Sequence, residues 1–188
     1  MIFHKTKLEG AFLVDVERRE DHRGFFARTF CMREFEEHGL NPIGRQCNMS
    51  FNHTKGTLRG MHFQVAPALE TKYIRCTAGA IFYAVIDFRP KSPTYLQHID
   101  LELTADNRRA LYVPGMFAIG YQTLQDNTEV HYMVGEYYTP SCERGLRYND
   151  PYFKIKWPVP VTEITEKDAN WPLFKLEDWK QTQANDRN

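Results

Sequence analysis

No charge of either sign dominates this chain: 24 Lys and Arg balance 24 Asp and Glu over 188 residues. A field that would draw the protein to nucleic acid or to an anionic membrane is therefore missing. No apolar run approaches the length of a membrane span, and the opening residues MIFHKTKLEGAF contain no apolar stretch of signal-peptide length. Cysteine is sparse. Cys31, Cys47, Cys76 and Cys142 are widely spaced and form no CxxC pair, which reads as a reducing, cytoplasmic setting. Internal repeats, low-complexity tracts and linkers are also lacking, so residues 1–188 are expected to form a single domain, long enough to bury a core unaided.

What the chain does have is aromatic residues, 14% of the total with 13 Phe and 10 Tyr, a bias that favours a β-rich core. GAFLVDV at 10–16 reads as a first strand, Arg19 to Gly24 as a turn, and the run through Phe25, Phe26 and Phe30 as a second strand. MREFEEH at 32–38 has helix-forming composition and stops at Gly39. Short strands then follow closely: QCNMSFN, TLRGMHFQ and TKYIRCTAGAIFYAVIDFRP, in which Ala78 and Gly79 read as a hairpin turn. LQHIDLEL alternates, Asp106 and Asn107 mark a turn, and ALYVPG, FAIGYQTL and TEVHYMV continue the series. So many short strands predict an all-β sandwich or barrel. Beyond Pro140 the chain is loop-rich, with one helix expected around 176–180.

GTLRGMHFQ at 56–64 is the stretch with the most evident chemistry. Its alternation lays the Arg59 guanidinium and the His62 imidazole along a strand bracketed by glycines. Arg59 suits an anion and His62 a proton transfer, although a lone strand histidine more often has a structural use.

The segments HRGFFARTF at 22–30, QCNMSFN at 46–52, GTLRGMHFQ, TKYIRCTAGAIF at 71–82, LYVPGMFAIGYQTL at 111–124, EVHYMVGEYYTP at 129–140, YNDPYFKIKWP at 148–158 and TEKD at 165–168 together resemble the nucleotide-sugar 3,5-epimerases. The type member acts on dTDP-4-dehydro-6-deoxyglucose in rhamnose biosynthesis. The resemblance runs in order along nearly the whole chain. It implies a cupin-like double-stranded β-helix, or jelly roll, with a few short peripheral helices. It also implies a homodimer with exchanged N-terminal strands, a nucleotide-sugar substrate, and no metal or organic cofactor.

Such enzymes invert carbons beside a ketone, which takes a base, an acid on the opposite face, a charge for the enolate and a grip on the diphosphate. His62 matches the family base, and Asp168 matches the carboxylate that fixes its tautomer. Tyr132 matches the acid, and Lys72 the cation near the developing enolate oxygen. Arg59, with Gln46 and Asn48, resembles the diphosphate and sugar contacts. Arg23, Phe25 and Tyr138 fall where the family binds its nucleotide, Phe25 reaching in from the partner subunit. Related cupins hold metal through an HxH pair; this chain has none, and His131 alternates to the strand face opposite Tyr132.

Two positions depart from the family pattern. Ile119 stands where a histidine is usual, and Tyr83 where an aspartate is usual. Replacing both together removes a polar pair without leaving one member buried and unpaired, and this predicts an altered sugar specificity. The expected activity is epimerisation of a nucleotide-linked 4-keto-6-deoxy or 3,6-dideoxy hexose at carbon 5, carbon 3 or both, with CDP as an alternative carrier. A ketoisomerase on a related 4-keto sugar and a non-catalytic nucleotide-sugar binder are the alternatives. The pathway served, whether lipopolysaccharide, capsule or a natural product, is open.

Overall fold

The alternating segments form two antiparallel sheets packed face to face, a jelly roll of the cupin type. The computed structural model describes residues 1–41, 44–177 and 179. One sheet has six strands in the order β1 (Ile2–Lys5), β2 (Phe12–Asp15), β10 (Ala110–Val113), β7 (Lys72–Ala78), β12 (Thr128–Val134) and β5 (Gln46–Asn52). The other has five, in the order β13 (Glu143–Gly145), β6 (Leu58–Gln64), β11 (Phe117–Thr123), β8 (Ala80–Asp87) and β9 (His98–Thr104). Among the described residues β3 (Arg19–Asp21) and β4 (Gly24–Phe26) pair only with each other. Helices are peripheral and short, α1 at Met32–Glu37 and α2 at Glu166–Ala169. Among the described residues no helix is long and apolar enough to cross a membrane.

β8 is buried at every position because both of its faces are covered. Ile81, Tyr83 and Val85 point into the core between the sheets, with Ile74, Leu111 and Val130 opposite. Phe82, Ala84 and Ile86 point the other way, into a second core closed by Leu146, Phe153 and the rings of Trp157 and Phe174. The loop-rich C-terminal part is thus the cover of the five-stranded sheet. Each such side chain removed from water contributes roughly 1.5–3 kcal/mol. α1 plugs part of the outer face of the six-stranded sheet through Phe35, packed edge-on to Tyr73 and Tyr112. The rest of that face, on edge strand β5, is open: Cys47 is exposed, and Met49 and Phe51 are 64% and 46% exposed.

Several boundaries differ from the sequence reading. β7 and β8 do not pair as a hairpin; the chain crosses from one sheet to the other at Gly79, which sits at φ +74°. A Cβ there would meet Thr128 Oγ1 at 2.4 Å, so the glycine marks a tightly packed corner. Arg19 to Phe26 is a small hairpin of two exposed three-residue strands; the second includes the expected Phe25 and Phe26, while the first is invisible to an apolar pattern because Arg19, Glu20 and Asp21 are charged. Phe30 lies outside any strand, and β1 and β13 were not foreseen. The resemblance implies exchanged N-terminal strands, yet β1 and β2 complete this chain's own sheet against β10. The N-terminal element joined to neither main sheet is the β3–β4 hairpin. The helix expected around 176–180 lies partly outside the described residues.

Candidate active site

Between the sheets, where β5, β12 and β7 face β6, β11 and β8, the core gives way to a cleft of about 340 Å³. It continues into a neighbouring compartment of about 290 Å³ that shares His62, Lys72 and Tyr132 as walls. Ile74, Ile119 and Val130 make one part of the lining apolar, while Arg59, Lys72 and Asp168 make another polar.

His62 extends from β6 and is held from behind. Its Nε2 lies 2.6 Å from Asp168 Oδ1, and Asp168 Oδ2 accepts the Gly60 backbone N–H at 3.1 Å. Asp168 is delivered by α2, whose first turn is capped by the Thr165 hydroxyl accepting the Asp168 N–H at 3.2 Å. The helix cap is therefore Thr165, and the Asp168 side chain is free to serve the imidazole. Gly60 itself sits at φ +121°, and a Cβ there would be 2.5 Å from the Gly120 Cα, so a glycine is needed for β6 to lie this close to β11. Gly145 opens room in the same way for Trp171, whose ring packs edge-on to His62 with centroids 6.2 Å apart.

Burial pushes the Asp168 carboxyl up, but the hydrogen bond to His62, the imidazolium charge and the Gly60 N–H outweigh it and hold Asp168 below its ordinary 3.8. The Trp171 indole N–H assists from beside the carboxylate without meeting hydrogen-bond geometry. An ionised carboxylate only accepts, so Nε2 carries the proton and Nδ1 is the nitrogen left to act as base.

Tyr132 reaches the cleft from β12, in the sheet facing His62. Burial, then the neighbouring Tyr121 and Glu70, raise its pKa, so the phenol keeps its proton. Lys72 is paired at 2.7 Å with Glu70, the two side chains only 13% and 10% exposed. Arg59 lines the cleft with its Nε donating to Asn52 Oδ1 at 2.8 Å. Gln46, Asn48 and Tyr138 line the second compartment, where Gln46 Oε1 accepts the Tyr138 N–H at 3.2 Å and Tyr138 donates to Glu143 at 2.8 Å.

Arg23 and Phe25 are not brought to the cleft of their own chain. Arg23 is spent on Asp21 at 2.6 Å, and the Phe25 ring lies between the guanidinium groups of Arg18 and Arg108, each 5.0 Å from its centroid. His131 points to the outer face, its Nε2 3.0 Å from Cys47 Sγ. Tyr83 and Ile119 both line the cleft, and the tyrosine brings a buried polar atom of its own in place of the usual pair. Tyr83 is 1% exposed and its hydroxyl has no hydrogen-bond partner among the described residues.

Sequence reasoning missed Glu70, Glu143 and Trp171. Glu70 lies in the loop leading into β7 and meets Lys72 from there. Glu143 and Trp171 reach the site only through the pairing of β13 with β6, which sets Gly145 opposite His62, and no local pattern reports that.

Residues 5–176 match the family model described as dTDP-4-dehydrorhamnose 3,5-epimerase. A protein of that name from Shigella flexneri is 34% identical over 174 residues, covering 90% of this chain and 94% of the relative. The crystal structure of the dTDP-4-dehydrorhamnose 3,5-epimerase from Elizabethkingia anophelis superposes with a TM-score of 0.89 at 32% identity, over 93% of this chain and 96% of that one. The Bacillus anthracis enzyme, solved with TDP and PPi bound, gives 0.87 at 37% identity, over 92% and 99%.

Proposed function

The chain belongs to the dTDP-4-dehydrorhamnose 3,5-epimerase family and is an isomerase of the epimerase class; on that premise we propose that it inverts carbon 5, carbon 3 or both in a nucleotide-linked 4-keto-6-deoxy or 3,6-dideoxy hexose. One observation carries the reading. The His62–Asp168 pair and the Tyr132 phenol line a single cleft from facing sheets, which is what removing a proton from one side of a carbon and returning it from the other requires.

His62 Nδ1 takes the proton from the carbon beside the ketone, and the C–H electron pair forms the enolate. Asp168 stabilises the resulting imidazolium through Nε2, a charge–charge contact made stronger by burial. Lys72 donates to the oxygen that gains charge. Tyr132 protonates the opposite face, and its raised pKa keeps that proton available at neutral pH. Arg59 takes the diphosphate as a bidentate donor, while Gln46, Asn48 and Tyr138 contact sugar and nucleotide. The apolar lining by Ile74, Ile119 and Val130 suits deoxy carbons better than hydroxyls and favours inversion at a single centre.

The partner is a second copy of this chain. The open β5 face with Met49 and Phe51, and the unpaired β3–β4 hairpin with Phe26 65% exposed, supply apolar surface for an interface. The hairpin would carry Arg23 and Phe25 to the neighbouring cleft. Met49→Asp should shift sedimentation from dimer to monomer; unchanged sedimentation would reject β5 as the interface.

The deciding experiment is proton NMR of dTDP-4-dehydro-6-deoxyglucose with the protein in heavy water, with CDP-linked 3,6-dideoxy ketosugars as the second substrate set. Deuterium at one or both carbons beside the ketone is expected, and its position counts the reactive centres. Ketosugars of both sets left unlabelled would reject the proposal.

A further inference from the structure

Resting on the enolate chemistry just proposed, one group in the cleft has no part in it. Tyr83 is enclosed on β8, and its hydroxyl is bonded to nothing among the described residues. Leaving a buried hydroxyl unpaired is costly, whereas phenylalanine would fill the same volume at no such cost. Ile81 and Val85, the residues on either side of Tyr83 on this face of β8, are apolar. The polar atom at Tyr83 therefore marks a place where a partner is supplied from outside the chain.

The surroundings narrow what that partner is. Ile74, Ile119 and Val130 offer no hydrogen bonds. Of the polar groups facing it, the Tyr121 hydroxyl is shared with Ser50 at 2.7 Å and Glu70 is committed to Lys72. Burial, with the nearby Tyr121, Glu70 and Tyr132, raises the pKa of Tyr83 well above its ordinary value, so the phenol is a donor and never an anion at neutral pH. A donor facing an enclosed, weakly polar cavity is matched by a ligand oxygen that is gaining negative charge.

Lys72 alone meets that need only in part. Its salt bridge with Glu70 has no net charge, so it offers N–H donors and little field. We infer that Tyr83 is a catalytic residue whose hydroxyl donates a hydrogen bond to the carbon-4 oxygen as the ketone becomes an enolate, sharing that oxygen with Lys72. The electron balance is unchanged. His62 takes the proton, the C–H pair becomes the C=C bond, the carbonyl π pair moves to oxygen, and Tyr83 donates without giving up its proton.

The test is Tyr83→Phe, measured by deuterium wash-in over a range of ketosugar concentrations up to saturation together with thermal melting. Removing one oxyanion donor should slow wash-in by about 10²–10³-fold. KM should stay within about threefold, because the bond is stronger in the transition state than in the ground state. The melting temperature should stay level or rise, since an unpaired polar atom has been removed. Wash-in and epimerisation should fall together, as both pass through the enolate. Unchanged wash-in in Tyr83→Phe beside an active wild type overturns this role alone, and so does a change confined to KM. A wild type inert towards every ketosugar overturns the proposed function and this inference with it.

Discussion

Asp168→Asn tests the base directly, because the two carboxylate oxygens have different partners that one amide cannot serve together. Oδ1 accepts from His62 Nε2 at 2.6 Å and Oδ2 accepts the Gly60 N–H at 3.1 Å. If the amide oxygen stays with His62, the amide nitrogen faces the Gly60 N–H, donor against donor. If the amide turns over, its N–H₂ faces Nε2 and forces the imidazole proton onto Nδ1, the nitrogen that must be free. A buried unsatisfied group costs about 1–3 kcal/mol, so the relaxed arrangement keeps Gly60 satisfied and holds the wrong tautomer. Wash-in should fall by roughly 10³–10⁴-fold, equivalent to about 4–5.5 kcal/mol of lost transition-state stabilisation. Single-turnover deuterium incorporation read by NMR gives the rate, and urea denaturation gives the stability.

The same substitution should alter the acid limb of stability. Asp168 has a folded pKa held below 3.8, so its contribution is fully present above that value and is lost as pH falls through the lower folded value. The variant lacks this dependence. Wash-in within threefold of wild type would refute the tautomer argument, and with it the assignment of Nδ1 as base.

Tyr132→Phe should retain wash-in, because His62 still forms the enolate, while product formation falls by about 10²-fold or more; loss of both together would remove Tyr132 as the acid. Gly145→Ala places a Cβ 2.2 Å from Trp171 Cε2, so Trp171 must leave the flank of His62. A stability loss of about 1–3 kcal/mol with slower wash-in is expected, and an unchanged melt would show that Trp171 has room to yield. Burial pushes the Cys76 thiol up to about 11. Thiol reagents at pH 8 should therefore modify exposed Cys47 and spare Cys76 until the protein unfolds, and rapid modification of Cys76 in the folded protein would contradict its burial.

Legibility in the sequence followed the range of the interaction. Strands such as β9 and β12 alternate in burial and were readable, and α1 announced itself through composition and Gly39. The crossing at Gly79 was not readable, since a glycine between two strand-like runs looks the same whether the chain turns back or changes sheet. Charged β3 gave no apolar signal at all. In the site, His62, Lys72 and Tyr132 were legible as residue types on strands, whereas their partners were not. Asp168 joins His62 across 106 residues, and only the family resemblance singled it out. Tyr83 was noticed as a departure, but its missing partner is a property of packing that no string of letters carries.

That separation of 106 residues also sets a timetable for synthesis. On a growing chain the imidazole is made long before the carboxylate that orients it, an interval of roughly 5–20 s at ordinary elongation rates. Asp168 comes from the C-terminal segment that covers the five-stranded sheet. Until that segment is made and packed, the imidazole has no carboxylate behind it, and proton abstraction waits for the cover to close. A chain broken off before Thr165 would carry His62 without the carboxylate that orients it.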